Sequence, residues 1–223
     1  MGTDATYPPF ESKDARTGEL VGFDIDLIKA ICEELEVKCE FIVVPFDGII
    51  SGLKNNKYDA IISSFTITPE REKIVDFSQP YYQAGQSIAV REDDQKIKSL
   101  DDLIGKTIGV QLGTTGEILA KKIEGAEIIS YDNIGAAFID MDNHKLDAVI
   151  NDKPTSEMII ALKGKAKIVG ETLTSENYGI AVRKGEKRLL DTINNSLDKL
   201  QASGKIQKIN EKWFLSPIKT EPL

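Results

Sequence analysis

Histidine is almost missing from this chain, cysteine and tryptophan are scarce, and long apolar runs are absent. Each shortage excludes something. The one histidine, His144, sits in "MDNHKLD" at a polar helix end and reads as a solvated surface residue. With no second histidine and no cysteine cluster, a zinc site lacks ligands. A Ser-His-Asp triad would need His144 in the wrong setting, and no G-x-S-x-G elbow is present. "GKT" at 105–107 resembles the end of a phosphate-binding loop, but Leu100 stands where its first glycine must be. Apolar stretches such as "FIVVPF" are far too short to cross a bilayer as a helix. A basic excess is lacking too: 28 Lys and Arg face 36 Asp and Glu, a net charge of −8, so no stripe exists to neutralise nucleic-acid phosphates. The sequon "NNS" at 194–196 falls inside an expected helix. Nothing here gives a positive reason to expect an enzyme, a metal or a cofactor.

What is present is an ordinary globular composition, 41% apolar and 29% charged, over 223 residues, enough for one large domain or two small ones. Periodicity predicts helices over 24–35, 47–55, 115–123, 133–143, 154–163, 186–202 and 205–213. It predicts strands over 39–44, 58–63, 86–91, 107–111, 127–130, 146–150 and 178–183. Such alternation implies an α/β fold with helices covering mainly parallel sheets. Cys32 shares an apolar helical stripe with Ile28, Ile31 and Leu35, and Cys39 opens the following strand. The spacing leaves two small core thiols and a disulfide equally open.

Two internal echoes organise the chain. "NNKYDAIIS" (55–63) matches "NHKLDAVIN" (143–151), and "SIAVRE" (87–92) matches "GIAVRK" (179–184). The first pair implies two similar lobes, each delivering polar residues at a strand's carboxyl end, where open α/β sheets bind ligands. The second pair brackets a lobe inserted into the other. The expected division is 1–86 with 182–215 for lobe 1, 87–181 for lobe 2, and a flexible tail at 216–223.

The polar strand ends carry the chemistry. "IISSFTITPERE" (61–72) turns from apolar residues into Ser63, Ser64, Thr66 and Thr68, with Arg71 beyond. Thr68-Pro69 is a good helix start, with Thr as cap and Pro in the first turn. Arg71 is suited to a carboxylate, and the hydroxyls to either end of a free amino acid. On the other lobe "QLGTTGE" (111–117) is a Gly-rich helix entry whose N–H groups can hold an anion, and Asp152 ends the second echo strand. One set complements the other.

"TDATYPPFE", "GFDIDL", "AIISSFTITPERE", "VDFSQPYY", "LIGKTIGVQLGTTGE" and "LDAVIND", through to "KINEKWF", resemble the amino-acid-binding proteins of bacterial ABC importers over nearly the whole chain. Among these the chain looks most like the lysine/arginine/ornithine-, histidine- and glutamine-binding proteins. "YPPFESKDARTGELVGFDIDL" is especially similar to the basic-amino-acid branch. The resemblance implies a type II periplasmic-binding-protein fold: two α/β lobes joined by a two-strand hinge, closing on a free L-amino acid, arginine foremost. It implies a monomer that delivers arginine, lysine, ornithine, histidine or glutamine to an ABC permease. The location implied is the periplasm, or a lipid anchor at a Gram-positive surface, although no signal peptide precedes the first motif. It also implies a disulfide between Cys32 and Cys39.

Carried over by position, Arg71 with the amides of Thr66 and Thr115 would bind the α-carboxylate. Asp152, with Ser64 and the carbonyl of Ser63, would bind the α-ammonium. Tyr7 and Phe46 would sandwich the side chain, Asp4 would meet its far end, and Gln111 would line the pocket. Two aromatics around an acid suit a guanidinium. The glutamine-binding relatives carry a lysine where Gln111 stands, which disfavours glutamine. Two departures from the family are visible: only three residues precede Asp4, and "LSPIKTEPL" extends past the usual finish as a linker-like tail. Two rivals remain: the ligand-binding domains of glutamate-receptor channels, which share "TIT..RE" and "DFS.PY", and the cyclohexadienyl (prephenate or arogenate) dehydratases, which share the implied fold.

Overall fold

The structure, a computed structural model, describes residues 1–215; the tail expected at 216–223 lies outside the described residues. The chain divides into two compact units. Of the described residues, one comprises Met1–Gln83 and 177–215, the other Ala84–Glu176. The short strands Tyr82–Ala84 and Glu176–Tyr178, which pair, carry the two passages of the chain between them.

The first unit is built on a five-stranded sheet in the order Ile42–Val43, Gly2–Thr3, Ala60–Ile61, Ala181–Arg183, Val75–Phe77. The first three strands are parallel, and Ala181–Arg183 runs antiparallel to both of its neighbours. Ile61, Val75 and Ala181 from this sheet pack with Ile49, Leu53, Tyr58 and Phe65 in a core with almost no exposure. Gly2 lies against the Tyr58 ring so closely that a Cβ would stand 2.5 Å from it, which explains a glycine inside a strand. A small antiparallel meander, Thr6–Tyr7, Glu11–Lys13 and Leu20–Val21, was invisible to periodicity because its strands are two or three residues long.

The second unit repeats the plan: Glu127–Tyr131, Thr107–Gln111 and Ala148–Asp152 are parallel, Gln86–Arg91 runs antiparallel beside them, and Ala166–Val169 forms the far edge. Its core gathers Ile88, Val90, Ile108, Val110, Ala148 and Ile150 with Leu103 and Ala120. The echo strands 87–92 and 179–184 therefore feed different sheets, one in each unit.

The longer echo is realised in backbone detail. Helices Ile49–Lys54 and Ile134–Asp142 end alike, with left-handed Asn56 (φ 55°) and His144 (φ 59°) at equivalent positions. Asn56 N donates to Leu53 O at 3.1 Å and Lys57 N to Gly52 O at 3.0 Å; His144 N donates to Met141 O at 3.0 Å and Lys145 N to Asp140 O at 2.9 Å. Both are Schellman closures, which satisfy the last carbonyls and turn the chain into the strand. The only histidine thus occupies an exposed helix terminus.

Two expectations are corrected. The strand expected over 178–183 is split into Glu176–Tyr178 and Ala181–Arg183. Between them Gly179 N donates to Phe65 O at 3.1 Å, and Ile180 N to the Ser78 hydroxyl at 2.9 Å, so a side chain takes a ladder bond. The helix expected over 205–213 is α-helical only over Lys205–Asn210 and widens into a π turn, Glu211–Leu215. There Trp213 Nε1 (2.8 Å) and Lys212 Nζ (2.6 Å) both reach Asp26 on helix Phe23–Glu34, which anchors "KINEKWF" to the first unit. Cys32, near the end of that helix, is bonded to Cys39, their Cα atoms 6.1 Å apart.

Candidate functional site

In the first unit the central strand Ala60–Ile61 runs out into a polar wall. Ser63, Ser64 and Thr66 are buried, and Ser64 adopts φ 47°, a left-handed conformation that costs a non-glycine residue and must be held by its bonds. Those bonds are to acids. Ser64 N donates to Asp24 Oδ2 at 2.8 Å, and its hydroxyl to Glu11 Oε2 at 3.2 Å. The Ser63 hydroxyl donates to Glu11 Oε1 at 2.9 Å and accepts from Asp4 N at 3.0 Å. Tyr81 donates its hydroxyl to Asp24 Oδ2 at 2.9 Å, and Thr6 its own to Asp4 Oδ2 at 2.6 Å.

Beyond the wall, Thr68 caps the short helix Pro69–Glu72 by accepting from Arg71 N at 3.2 Å. That turn sends the buried Arg71 side chain back over the strand end. Its Nη1 donates to Thr66 O at 2.8 Å, and its guanidinium carbon lies 4.2 Å from the Phe65 ring centroid and 5.4 Å from that of Phe46. Phe46, half-buried in the turn Phe46–Gly48, packs edge-on to Phe65 at 5.8 Å. A planar cation held between aromatic faces and a carbonyl is pre-organised for a carboxylate. Tyr7 is buried in the meander of the same unit.

In the second unit Asp152, Thr115 and Gln111 stand at the carboxyl ends of strands or just beyond. Asp152 occupies the N-cap position of helix Lys153–Lys163 yet makes no side-chain cap bond; its carboxylate instead accepts from Gln86 Nε2. Gln86 Nε2 also donates to Thr115 Oγ1 at 3.1 Å. Thr115 donates its hydroxyl to Glu176 at 2.7 Å, as Thr174 does at 2.8 Å.

The glycine-rich entry is closed by a variant of the capping box. Thr114 Oγ1 accepts from Glu117 N at 3.2 Å, and Glu117 reaches back to Gly113 N at 2.8 Å. Burial opposes the Glu117 charge, but bonds from Lys121, Gly113 N and Ser130 hold the carboxyl below its usual range. Thr114 also donates to Gln111 O at 2.7 Å, and Gln111 Nε2 to Asp132 O at 3.3 Å.

Of the residues expected from sequence, Asp4, Tyr7, Phe46, Ser63, Ser64, Thr66 and Arg71 fall in the first unit and Gln111, Thr115 and Asp152 in the second. Asp4 touches Ser63, and Arg71 touches Thr66 and Phe46. Asp152 and Thr115 meet through Gln86. Sequence reasoning missed Glu11, Asp24, Tyr81, Gln86, Glu117 and Glu176. One signal was available: Asp24 lies on the same helical stripe as Leu27, Ile28 and Ile31, an acid on a buried face.

The wall's two acids are wholly buried. Burial, and then the charge of Asp24, push Glu11 far above the usual carboxylate range, against the serine hydroxyl bonds. Burial pushes Asp24 up to about 6, opposed by the bonds from Ser64 N, Tyr81 and Glu11.

The model of the bacterial extracellular solute-binding proteins, family 3, matches residues 1–216. The chain belongs to this family. Arginine-binding protein 1 of an Escherichia coli K12 ABC transporter is 40% identical over 96% of this chain and 89% of its own. An ancestral arginine-binding protein, solved once bound to arginine and once to glutamine, is 48% identical, with a TM-score of 0.92 and 96% of each chain covered. A variant of ArgBP from T. maritima superposes at TM-score 0.93 with 44% identity, covering 96% of this chain and 94% of that one. This family-3 solute-binding protein has the type II periplasmic-binding-protein fold, and these relatives are named as arginine-binding proteins.

Proposed function

We propose that this family-3 protein binds free L-arginine ahead of other amino acids and delivers it to an ABC importer on the outer side of the cytoplasmic membrane, without catalysing a reaction. The observation that carries the reading is the buried Arg71 guanidinium, fixed by Thr66 O and the rings of Phe65 and Phe46. It is a receptor for the carboxylate that every free amino acid carries. Asp152, turned away from its helix cap, is the counterpart for the α-ammonium, with Thr115 beside it. A ligand that satisfies both sets favours the arrangement in which both are within reach. The basic side chain goes to Asp4 and the aromatic rings of Tyr7 and Phe46.

Glutamine is the second reading, favoured by the ancestral relative solved with glutamine. Replacing Arg71 with alanine tests the shared part of both readings. Affinity for arginine and for glutamine should each fall by about 100-fold or more, the cost of removing one partner of a desolvated charge pair. Affinity retained within a few-fold would remove Arg71 from the site.

A further inference from the structure

We propose that Glu11 and Asp24 share a single proton at neutral pH, carried by Glu11, and that this pair holds Ser63 and Ser64 in place. The proton stands on the geometry alone; the description of the serines as a binding wall rests on the amino-acid reading above. Both carboxyls are wholly buried, and among the described residues neither has a basic partner in an ion pair. Two adjacent ionised carboxyls without a cation would face each other across a repulsion that water cannot screen.

The donors show which carboxyl keeps its charge. Asp24 sits in the first turn of the twelve-residue helix Phe23–Glu34, where the helix dipole favours an anion. Its Oδ2 accepts from a backbone N–H and from the Tyr81 hydroxyl. Its Oδ1 is buried and, among the described residues, has no hydrogen-bond donor. Glu11 receives only the hydroxyls of Ser63 and Ser64 and no backbone N–H. Ser64 bridges the two carboxyls, so a proton on Glu11 supplies the Asp24 carboxylate with a further donor, leaves Glu11 able to accept from the serines, and removes one of two like charges.

The charged and titratable groups facing the pair are Asp4 and Tyr81. Asp4 adds a further negative charge, and the buried Tyr81 is held neutral, so both favour retention of the proton. The strong upward displacement of Glu11 by burial and by Asp24 agrees.

The sign of the pH dependence follows. In the unfolded chain Glu11 ionises near pH ~4.3, whereas the folded protein keeps the proton, so folding takes a proton up. Stability is highest below the unfolded value and falls as pH rises toward the folded one, by up to about tenfold in the folding constant per pH unit. Glu11→Gln removes the titration while its amide still donates to Asp24 and accepts from serine.

The test uses the ligand-free full chain with carbon-13-labelled glutamate side chains. At neutral pH one glutamate should show the carboxyl shift of a protonated acid, and Glu11→Gln should abolish that signal; uniformly ionised glutamates overturn the proposal. Between about pH 5 and about pH 8, the folding constant of Glu11→Gln should gain on the native protein by up to about tenfold per pH unit, and a ratio flat across that range also overturns it. For positioning, Glu11→Ala should weaken arginine binding by about tenfold more than Glu11→Gln does, and equal affinities refute that role. If the native chain binds no amino acid, the carboxyl signal still decides the proton, so the two failures are distinguishable.

Discussion

In one unit the middle strand of the sheet, Ala60–Ile61, runs out into Ser63, Ser64 and Thr66; in the other the middle strand, Ala148–Asp152, runs out into Asn151 and Asp152. The approach is the same in both: a helix closed by a left-handed residue, a Lys, an Asp-Ala step and an apolar strand. A helix with proline in its first turn follows in each, after residues 62–68 in the first unit and directly after Asp152 in the second. The departure begins at the cap. Thr68 spends its hydroxyl on the helix, whereas Asp152, in a cap position, turns its carboxylate to Gln86. One backbone device has been used twice, with stabilising chemistry at one copy and an acid diverted from stabilisation at the other. A cap bond forgone is the kind of local inconsistency that marks a functional residue.

The largest effect that would break this comparison lies in the cores. Phe65 is packed in the first unit's core and also lies beneath Arg71, so Phe65→Ala should cost about 3–5 kcal/mol of stability and lower arginine affinity with it. Ile108→Ala, in the second unit's core, should cost about 2–5 kcal/mol and leave affinity within a few-fold. Denaturant unfolding and ligand titration on both variants separate the outcomes, and affinity retained in Phe65→Ala would detach Arg71's orientation from the ring.

The next contrast is between the caps. Asp152→Asn should weaken arginine binding by about 1.5–3 kcal/mol while changing stability by less than about 0.5 kcal/mol. Thr68→Ala should do the reverse in kind, costing about 1 kcal/mol of stability. A stability loss as large for Asp152→Asn as for Thr68→Ala would mean that both residues serve their helices.

Legibility in the sequence divided along physical lines. Helices with a clear apolar stripe, such as 23–34 and 187–202, and the parallel strands of the second sheet follow from local pattern and from the echo, whereas Gly2–Thr3 in the first sheet is too short to carry a period. The polar positions expected to form the site, Ser63, Ser64, Thr66, Arg71 and Asp152, stand out in the sequence because motif and echo coincide there. The Thr6–Val21 meander was not, since strands of two or three residues carry no period. Glu11 and Asp24 escaped because an acid is read as surface by default, and only the tertiary approach of two distant segments to Ser63 and Ser64 buries both. His144 was read by composition as a solvated residue, and its left-handed backbone became visible only with the helix terminus it closes.

That helix terminus supplies the smallest test. Asn56→Gly and His144→Gly should each stabilise the protein by about 0.5–1 kcal/mol, because glycine takes a left-handed conformation without strain. Equal gains in thermal unfolding support the equivalence of the two closures; a gain at one and a loss at the other would show that they only look alike.

Calorimetric titration of the purified chain with arginine, lysine, ornithine, histidine and glutamine addresses the central claim most directly. The account predicts saturable binding of one ligand per chain, tightest for arginine, with glutamine weaker. No heat from any of the five would contradict it.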